Sequence, residues 1–255
     1  MATARVTDRK DTRPPGFRWL RLVELTYVDI KGQTRRWESA ERCHRAGEKP
    51  RNPPTADGVF ICATVHYSSK PPEVLLVRQF RPPMNCEVVE FVAGLIDAGE
   101  TPEQAALREL KEETGFSKGV TVQSVTAPMA IDPGMSNSCA VMVVVDIDGD
   151  LQDNKNPIAC PDDGEYITPF RVPVTQIEQV LLDMEHQGKY VDIAVRTYAL
   201  GWLAAYRLKA RKAEVKQREA SNNLCVSVVG VAAAAAAIYI CSIKYTSVFG
   251  KAMGI

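Results

Sequence analysis

The sequence predicts an α+β fold in which a small N-terminal β-subdomain precedes a larger mixed domain. Apolar and β-branched runs of strand length recur along the chain, and only a few stretches show helical periodicity. A length of 255 residues, with 45% hydrophobic and 24% charged residues, indicates a globular protein with room for an appendage. Lys plus Arg equals Asp plus Glu at 31 each, so no net positive charge favours nucleic acid as a partner.

The N-terminal part contains a polar arm and a hairpin. Residues 1–16 are charged and proline-bearing, which predicts a mobile arm. Residues 19–28 and 33–42 flank the Lys31-Gly32 turn and are rich in β-branched and aromatic residues, which is typical of a β-hairpin. A turn-rich linker ends this subdomain, so we assign residues 17–54 to it and residues 55–206 to the second domain.

The second domain alternates apolar strands with three helices. Strands are predicted at 59–65, 74–80, 88–91, 120–125 and 140–147, and helices at 102–114, 175–184 and 193–208. The first helix has the clearest start, because Thr101 can cap it, Pro102 suits its first turn and Gln104 can bond back to the cap. Leu107 and Leu110 are expected to face the core.

The C-terminal part differs in composition from the rest. Residues 207–223 form a basic linker, and residues 224–243 contain no charged side chain over 20 positions. A helix of that length spans about 30 Å, the thickness of a bilayer core. We expect a transmembrane helix followed by a short tail, 244–255; the alternative is a buried terminal helix rich in alanine. Seven scattered cysteines without a CxxC pair indicate a reducing compartment, such as the cytosol, for the catalytic domain. Together with the apolar segment, this predicts a protein whose C-terminal helix anchors a cytosolic catalytic domain in an intracellular membrane.

Three carboxylates share one face of the first helix. Glu112 and Glu113 lie three and four residues after Glu109, which is about one helical turn. Like charges at this spacing repel one another unless a cation lies among them, and hard oxygen ligands suit Mg²⁺ or Mn²⁺. A solvated acidic face is the simpler interpretation of such a helix alone.

The surrounding residues favour the metal site. Gly94, Glu100, Arg108 to Leu110, Glu112, Glu113 and Gly115-Phe116 reproduce the pattern GX5EX7REUXEEXGU, with nine specified positions in a 23-residue window. The chain therefore resembles the Nudix family. This resemblance implies an αβα sandwich whose helix holds divalent metal through Glu109, Glu112 and Glu113, with Arg108 and Glu100 orienting the carboxylates. It also implies a metal contact from the backbone carbonyl of Ala93.

Residues 17–207 are similar to the ADP-sugar pyrophosphatases, the Nudix subgroup that splits ADP-ribose. The similar stretches are TYVDIKGQTRRWES (26–39), TADGV (55–59), QFRPPM (79–84), EFVAGLIDAGETPE (90–103), DPGMSN (132–137) and DDGEY (162–166). By this resemblance Trp19 and Trp37 sandwich the adenine, Arg42 and Arg81 meet the diphosphate or ribose oxygens, and Leu95 contacts substrate. Each tryptophan would otherwise be a core residue of the β-sheet.

The same resemblance implies the water-activating base and the oligomeric state. Glu165 matches the family glutamate in a loop beyond the box, while Glu113 or Glu112 is the alternative base. A homodimer is expected, since the family builds its adenine slot across two subunits. Val92 stands where the family usually has proline, and Asn85-Cys86 where it usually has small residues.

The expected function is Mg²⁺-dependent hydrolysis of ADP-ribose and related ADP-sugars to AMP and a sugar 5-phosphate. One alternative is a Nudix hydrolase for another diphosphate, such as an oxidised nucleotide, a dinucleoside polyphosphate or a coenzyme. Another is a nucleotide sensor without turnover, although a pure binder would not need every carboxylate.

Overall fold

The computed structural model describes residues 4–12, 16–43, 55–161, 164–209, 211, 212 and 216. Residues 1–199 belong to one compact unit and residues 200–255 to a second. The predicted division between residues 54 and 55 therefore separates two sheets within the first unit. In the second unit, the described residues 200–209 are helical, as the sequence predicts for 193–208.

A three-stranded antiparallel sheet forms the N-terminal part of the first unit. Its strands are β1 (Arg5–Thr12), β2 (Leu20–Val28) and β3 (Thr34–Arg42), in that order. The β2–β3 hairpin is confirmed. The mobile arm predicted for residues 1–16 is wrong over residues 5–12, since β1 pairs with β2 along most of its length. Every residue of β1 is exposed, so the sequence lacks the alternation that marks a half-buried strand.

A nine-stranded mixed sheet forms the rest of the first unit. Six strands follow the order β12-β6-β5-β4-β10-β8, while β11, β7 and β9 pair with β5, β4 and β10 respectively. The strands are β4 (Gly58–His66), β5 (Glu73–Arg81), β6 (Cys86–Glu90), β7 (Val92–Leu95), β8 (Val120–Val125), β9 (Met129–Ala130), β10 (Cys139–Asp148), β11 (Ile167–Pro173) and β12 (Tyr190–Val191). The helices are α1 (Pro102–Thr114) and α2 (Ile177–His186).

Helices cover both faces of this sheet. Leu75 and Val77 of β5 belong to the same buried cluster as Ala106 and Leu110 of α1. The alternate residue Leu76 is also fully buried, on the opposite face, because successive strand side chains point to opposite sides. Residues 193–199 are helical, and within them Tyr198 packs edge-on against Phe91 with ring centroids 5.7 Å apart. The α+β class is confirmed.

Several predicted details differ from the structure. Helix α2 lies two residues later than predicted, at Ile177–His186. Strand β11 was missed because its sequence ITPFRVP contains two prolines, which an edge strand with one neighbour tolerates. Leu107 does not face the core: it is 41% exposed, whereas Leu110 is fully buried.

The predicted transmembrane segment, 224–243, lies outside the described residues. Among the residues that are described, no helix combines the length and apolar character needed to cross a membrane.

Candidate active site

The first helix is fixed at both ends, which sets the direction of its carboxylates. Thr101 accepts a hydrogen bond from the Gln104 backbone N–H, and the Gln104 side chain accepts one from Thr101 N, completing the predicted capping box. Gly115 ends the helix at φ +82°, and a β-carbon there would lie 2.5 Å from the Ile158 backbone. A residue with a side chain would therefore be strained at position 115.

Arg108 joins the acidic residues of the box. Its Nε and Nη2 donate to the two Glu100 carboxylate oxygens at 2.8 and 3.0 Å. Its Nη1 donates to Glu109 Oε1 at 2.7 Å and to Glu112 Oε2 at 3.1 Å, and Nη2 also donates to the Leu95 carbonyl at 2.9 Å. The guanidinium thus offsets the repulsion between Glu109 and Glu112, and these bonds lower the pKa of Glu100.

A cavity of about 560 Å³ gathers most of the predicted site residues. Its wall is built by seven elements of the first unit, β3, β4, β5, β6, β7, α1 and β10, together with loop residues such as those before β11. The predicted residues that line it are Arg42, Arg81, Ala93, Leu95, Arg108, Glu109, Glu112, Glu113 and Glu165. The structure therefore brings together the proposed metal ligands, both arginines and the proposed base.

Glycine is required at position 94 by the closeness of Glu109. A β-carbon on Gly94 would lie 1.9 Å from both Cδ and Oε1 of Glu109, far inside van der Waals contact. The backbone of β7 therefore lies directly against this carboxylate. The sequence pattern marks the glycine, but the contact that requires it became apparent only from the fold.

Substituting Gly94 with alanine should displace Glu109 and weaken metal activation. We expect Gly94→Ala to raise the metal concentration needed for half-maximal activity by about tenfold or more, since it disturbs an intended ligand. Gly201→Ala is the matched control, because a β-carbon there meets no atom within 4 Å. An unchanged metal requirement in Gly94→Ala would contradict the placement of Glu109 in the metal site.

Glu113 is the most deeply buried of the three box carboxylates. It is 4% exposed, and its Oε2 has no hydrogen-bond partner among the described residues. Burial, with added repulsion from Glu109 and Glu165, raises the pKa of Glu113 to about 8. Burial also raises the pKa of Glu109 above its ordinary value. A buried carboxylate oxygen without a partner is costly, and a cation bound at Oε2 would remove that cost.

The residues present fit a divalent cation with a preference for oxygen ligands. The unpartnered oxygen of Glu113 and the nearby charges of Glu109 and Glu165 form a hard, anionic donor set. Within the described ranges, no three acidic, histidine or cysteine side chains already converge on one point. Arg108 holds Glu109 and Glu112, so an incoming ion would compete with its guanidinium for these two carboxylates.

The raised pKa of Glu113 predicts how the metal-free protein responds to pH. Folding favours the protonated acid here, so stability is lost as pH rises from the ordinary value of 4.5 through the folded value of about 8. With the metal removed by a chelator, we expect the melting temperature of the wild-type protein to fall relative to that of Glu113→Gln as pH rises from 4.5 to about 8. Parallel pH profiles for the two proteins in thermal melts would show that Glu113 does not titrate as described.

The two tryptophans lie on the surface of the first unit. Trp19 is 78% exposed and Trp37 is 49% exposed, so neither is a core residue of the sheet. The Trp37 indole donates a hydrogen bond to the Gly134 carbonyl at 3.0 Å, and Ala40 N donates to Met135 O at 2.8 Å. The three-stranded sheet is thereby joined to the 132–137 loop, and the indole is fixed with its ring partly accessible.

Sequence reasoning missed several residues of the cavity wall. Asp57 accepts a hydrogen bond from Cys139 N at 3.0 Å, and Glu90 pairs with Arg81. Asp192 lies at the cavity and caps residues 193–199 by accepting from Ala194 N at 2.7 Å. Asp57 and Glu90 fall inside the stretches TADGV and EFVAGLIDAGETPE, which was the only available signal for them.

Comparison with known proteins finds relatives that cover most of the chain. The chain is 37% identical over 195 residues to the ADP-ribose pyrophosphatase of Saccharomyces cerevisiae, covering 75% of this chain and 81% of that protein. It is 36% identical over 184 residues to the ADP-sugar pyrophosphatase of Mus musculus, covering 72% and 79% respectively. A crystal structure of an ADP compounds hydrolase matches with a TM-score of 0.51 at 18% identity, covering 82% of this chain and 96% of that chain, and supports the fold.

The family assignment rests on the domain match together with the cavity. Residues 55–192, more than half of the chain, match the NUDIX domain. This range includes every residue of the box pattern as well as Arg81 and Glu165, which line the same cavity. The chain belongs to the Nudix family of hydrolases.

Proposed function

We propose that this protein hydrolyses the diphosphate bond of ADP-ribose and related ADP-sugars, releasing AMP and a sugar 5-phosphate, with Mg²⁺ as the metal and Mn²⁺ as a substitute. The observation that carries the proposal is that Arg42 and Arg81 line the same cavity as Glu109, Glu112 and Glu113. Guanidinium groups recognise phosphate oxygens through paired hydrogen bonds, and a divalent ion held by the carboxylates would add further positive charge. The names of the yeast and mouse relatives favour the same substrates.

The exposed tryptophans favour an adenine nucleotide over other diphosphates. An aromatic side chain with an accessible face can stack on a purine base, which contributes binding without depending on the sugar. Trp37 has its indole N–H engaged by Gly134, so its ring face is the part that remains for a base. A substrate without adenine would gain less from this surface.

The chemistry divides between the metal and the chain's own residues. A divalent ion, when bound, neutralises diphosphate charge and lowers the pKa of a water molecule. Arg42 and Arg81 bind and orient the diphosphate, and Glu165 accepts the proton of the attacking water at its carboxylate. Glu165 is exposed at the cavity edge, where solvent can reach it. The presence of all three proposed metal ligands and the proposed base in one cavity favours catalysis over a sensor without turnover.

A panel of substrates tests the proposed specificity. We expect kcat/KM for ADP-ribose to exceed that for a diadenosine polyphosphate, an oxidised nucleoside triphosphate and a coenzyme with a diphosphate bond. Trp37→Ala should lower kcat/KM for ADP-ribose more than it lowers the value for ribose-containing substrates without adenine. A higher kcat/KM for any of the other classes would favour the alternative Nudix reaction.

We also propose that the protein is a homodimer. Besides the two tryptophans, Val6, Leu20 and Leu22 of the three-stranded sheet are exposed. A second copy of the chain could bury this apolar surface by binding to it. A dimer could complete the adenine site with a tryptophan from each chain. Sedimentation of the full-length protein in mild detergent should give a dimer; an active monomer would refute this proposal.

The C-terminal segment remains a proposal drawn from sequence. Residues 224–243 carry no charge, and the preceding segment carries more basic than acidic residues, which favours a cytosolic flank next to lipid. We propose that this segment anchors a cytosolic hydrolase in an intracellular membrane. Full-length protein in cells should resist extraction by high salt and by alkaline carbonate, and release by either treatment would refute the anchor.

A further inference from the structure

Arg81 is held by an acidic residue that belongs to neither the metal cluster nor the box. Its Nε donates to Glu90 Oε1 and Oε2 at 3.1 and 2.9 Å, and its Nη2 donates to Glu90 Oε1 at 3.0 Å. Both residues line the cavity that contains the box carboxylates. We propose that Glu90 is a positioning residue that fixes the Arg81 guanidinium toward the substrate diphosphate, an inference that rests on the proposed function.

The pairing leaves one edge of the guanidinium available. Nε and Nη2 are engaged by Glu90, whereas Nη1 has no hydrogen-bond partner among the described residues. Arg81 is 43% exposed, so without Glu90 its long side chain would sample several rotamers in solvent. Holding two nitrogens in a bidentate pair removes that freedom before substrate arrives.

Arg81 lies in the same cavity as the box carboxylates. The lining of this cavity includes Arg81 together with Glu109, Glu112 and Glu113. A diphosphate bound between the metal cluster and Arg81 would therefore meet Nη1 directly. An arginine rotated away from this direction would lose the contact.

A carboxylate at this position needs an explanation, because the cavity is proposed to take an anionic substrate. Glu90 would repel the diphosphate if it were free, and its side chain is only 15% exposed, so water screens it poorly. The pair is also not needed to join β5 to β6, since five residue pairs from Val77 to Arg81 already connect these strands. An ion pair at a partly exposed site adds little stability. We therefore attribute the presence of Glu90 in this cavity to its role in orienting Arg81.

The test compares Glu90→Gln with Glu87→Gln, a matched control on the same strand whose carboxylate lies 3.9 Å from Lys189. We expect Glu90→Gln to raise KM for ADP-ribose about tenfold, the effect of losing one charge-assisted contact, while the half-saturating Mg²⁺ concentration stays unchanged. The control should behave as wild type. Titration of ADP by calorimetry should show the same weakening, because ADP carries the diphosphate without the second ribose of ADP-ribose.

A double-mutant cycle separates positioning from a general structural effect. In an Arg81→Ala background, Glu90→Gln should change KM by less than about twofold, because the residue through which it acts is gone. An additive loss in that background, or an unchanged KM in the single variant, would overturn the inference. A wild-type protein that binds ADP but leaves ADP-ribose intact would instead refute the proposed function, and the ADP titrations would still decide the role of Glu90.

Discussion

Replacing Glu112 with glutamine is expected to lower turnover of ADP-ribose by at least about 100-fold while the fold stays intact. The substitution removes one negative charge from the metal cluster and keeps the side-chain shape. Glu112 is partly exposed and its contact with protein is the 3.1 Å hydrogen bond from Arg108, so little packing is lost. Removing charge that acts in the transition state lowers kcat rather than stability.

The matched control is Glu103→Gln, which removes a carboxylate from the exposed first turn of α1. We expect the control to keep wild-type turnover, with at most a small loss of stability from the helix dipole. Both variants should melt cooperatively within a few degrees of wild type. A Glu112→Gln protein with near wild-type turnover at saturating Mg²⁺ would show that the metal face of α1 has been assigned wrongly.

Glu165→Gln is expected to lower kcat by about 10²- to 10⁴-fold, the range over which a general base contributes. Glu165 lines the same cavity as Glu109 and Glu113, which places its carboxylate on the side of the proposed metal site. The half-saturating Mg²⁺ concentration should change much less than kcat, because a base is not a ligand.

Tyr166→Phe is the control for this loop, since Tyr166 is 88% exposed and does not line the cavity. Steady-state kinetics of Glu165→Gln, Tyr166→Phe and Glu113→Gln decides whether Glu165 or a box glutamate is the base, a choice that the sequence left open. If Glu165→Gln keeps wild-type kcat and Glu113→Gln loses it, a box glutamate is the base.

Local sequence signals predicted the helix that carries the site. Thr101, Gln104 and Gly115 form the capping box and the helix end, and each depends on residues at most a few positions away. The direction of Glu109, Glu112 and Glu113 followed from helical periodicity once these ends were known. For this part of the molecule, short-range chemistry was sufficient.

Contacts between distant segments could not be predicted in this way. Strand β1 is joined to its sheet by Arg9, which pairs with the buried Glu41 of β3, and a separation of 32 positions gave no local signal for this pair. The contact of Gly94 with Glu109 depends on how β7 passes α1, and the pairing of Arg81 with Glu90 depends on the register of β5 and β6. These contacts follow from tertiary packing, which overrides local propensity.

Product release from ADP-ribose, measured with and without divalent metal, tests the central claim most directly. Purified full-length protein should convert ADP-ribose to AMP and ribose 5-phosphate in equal amounts in Mg²⁺, and addition of excess EDTA should abolish the reaction. Readdition of Mg²⁺ should restore it. Equal AMP release in the presence of EDTA, or intact ADP-ribose after prolonged incubation in Mg²⁺, would contradict a metal-dependent ADP-sugar hydrolase at this cavity.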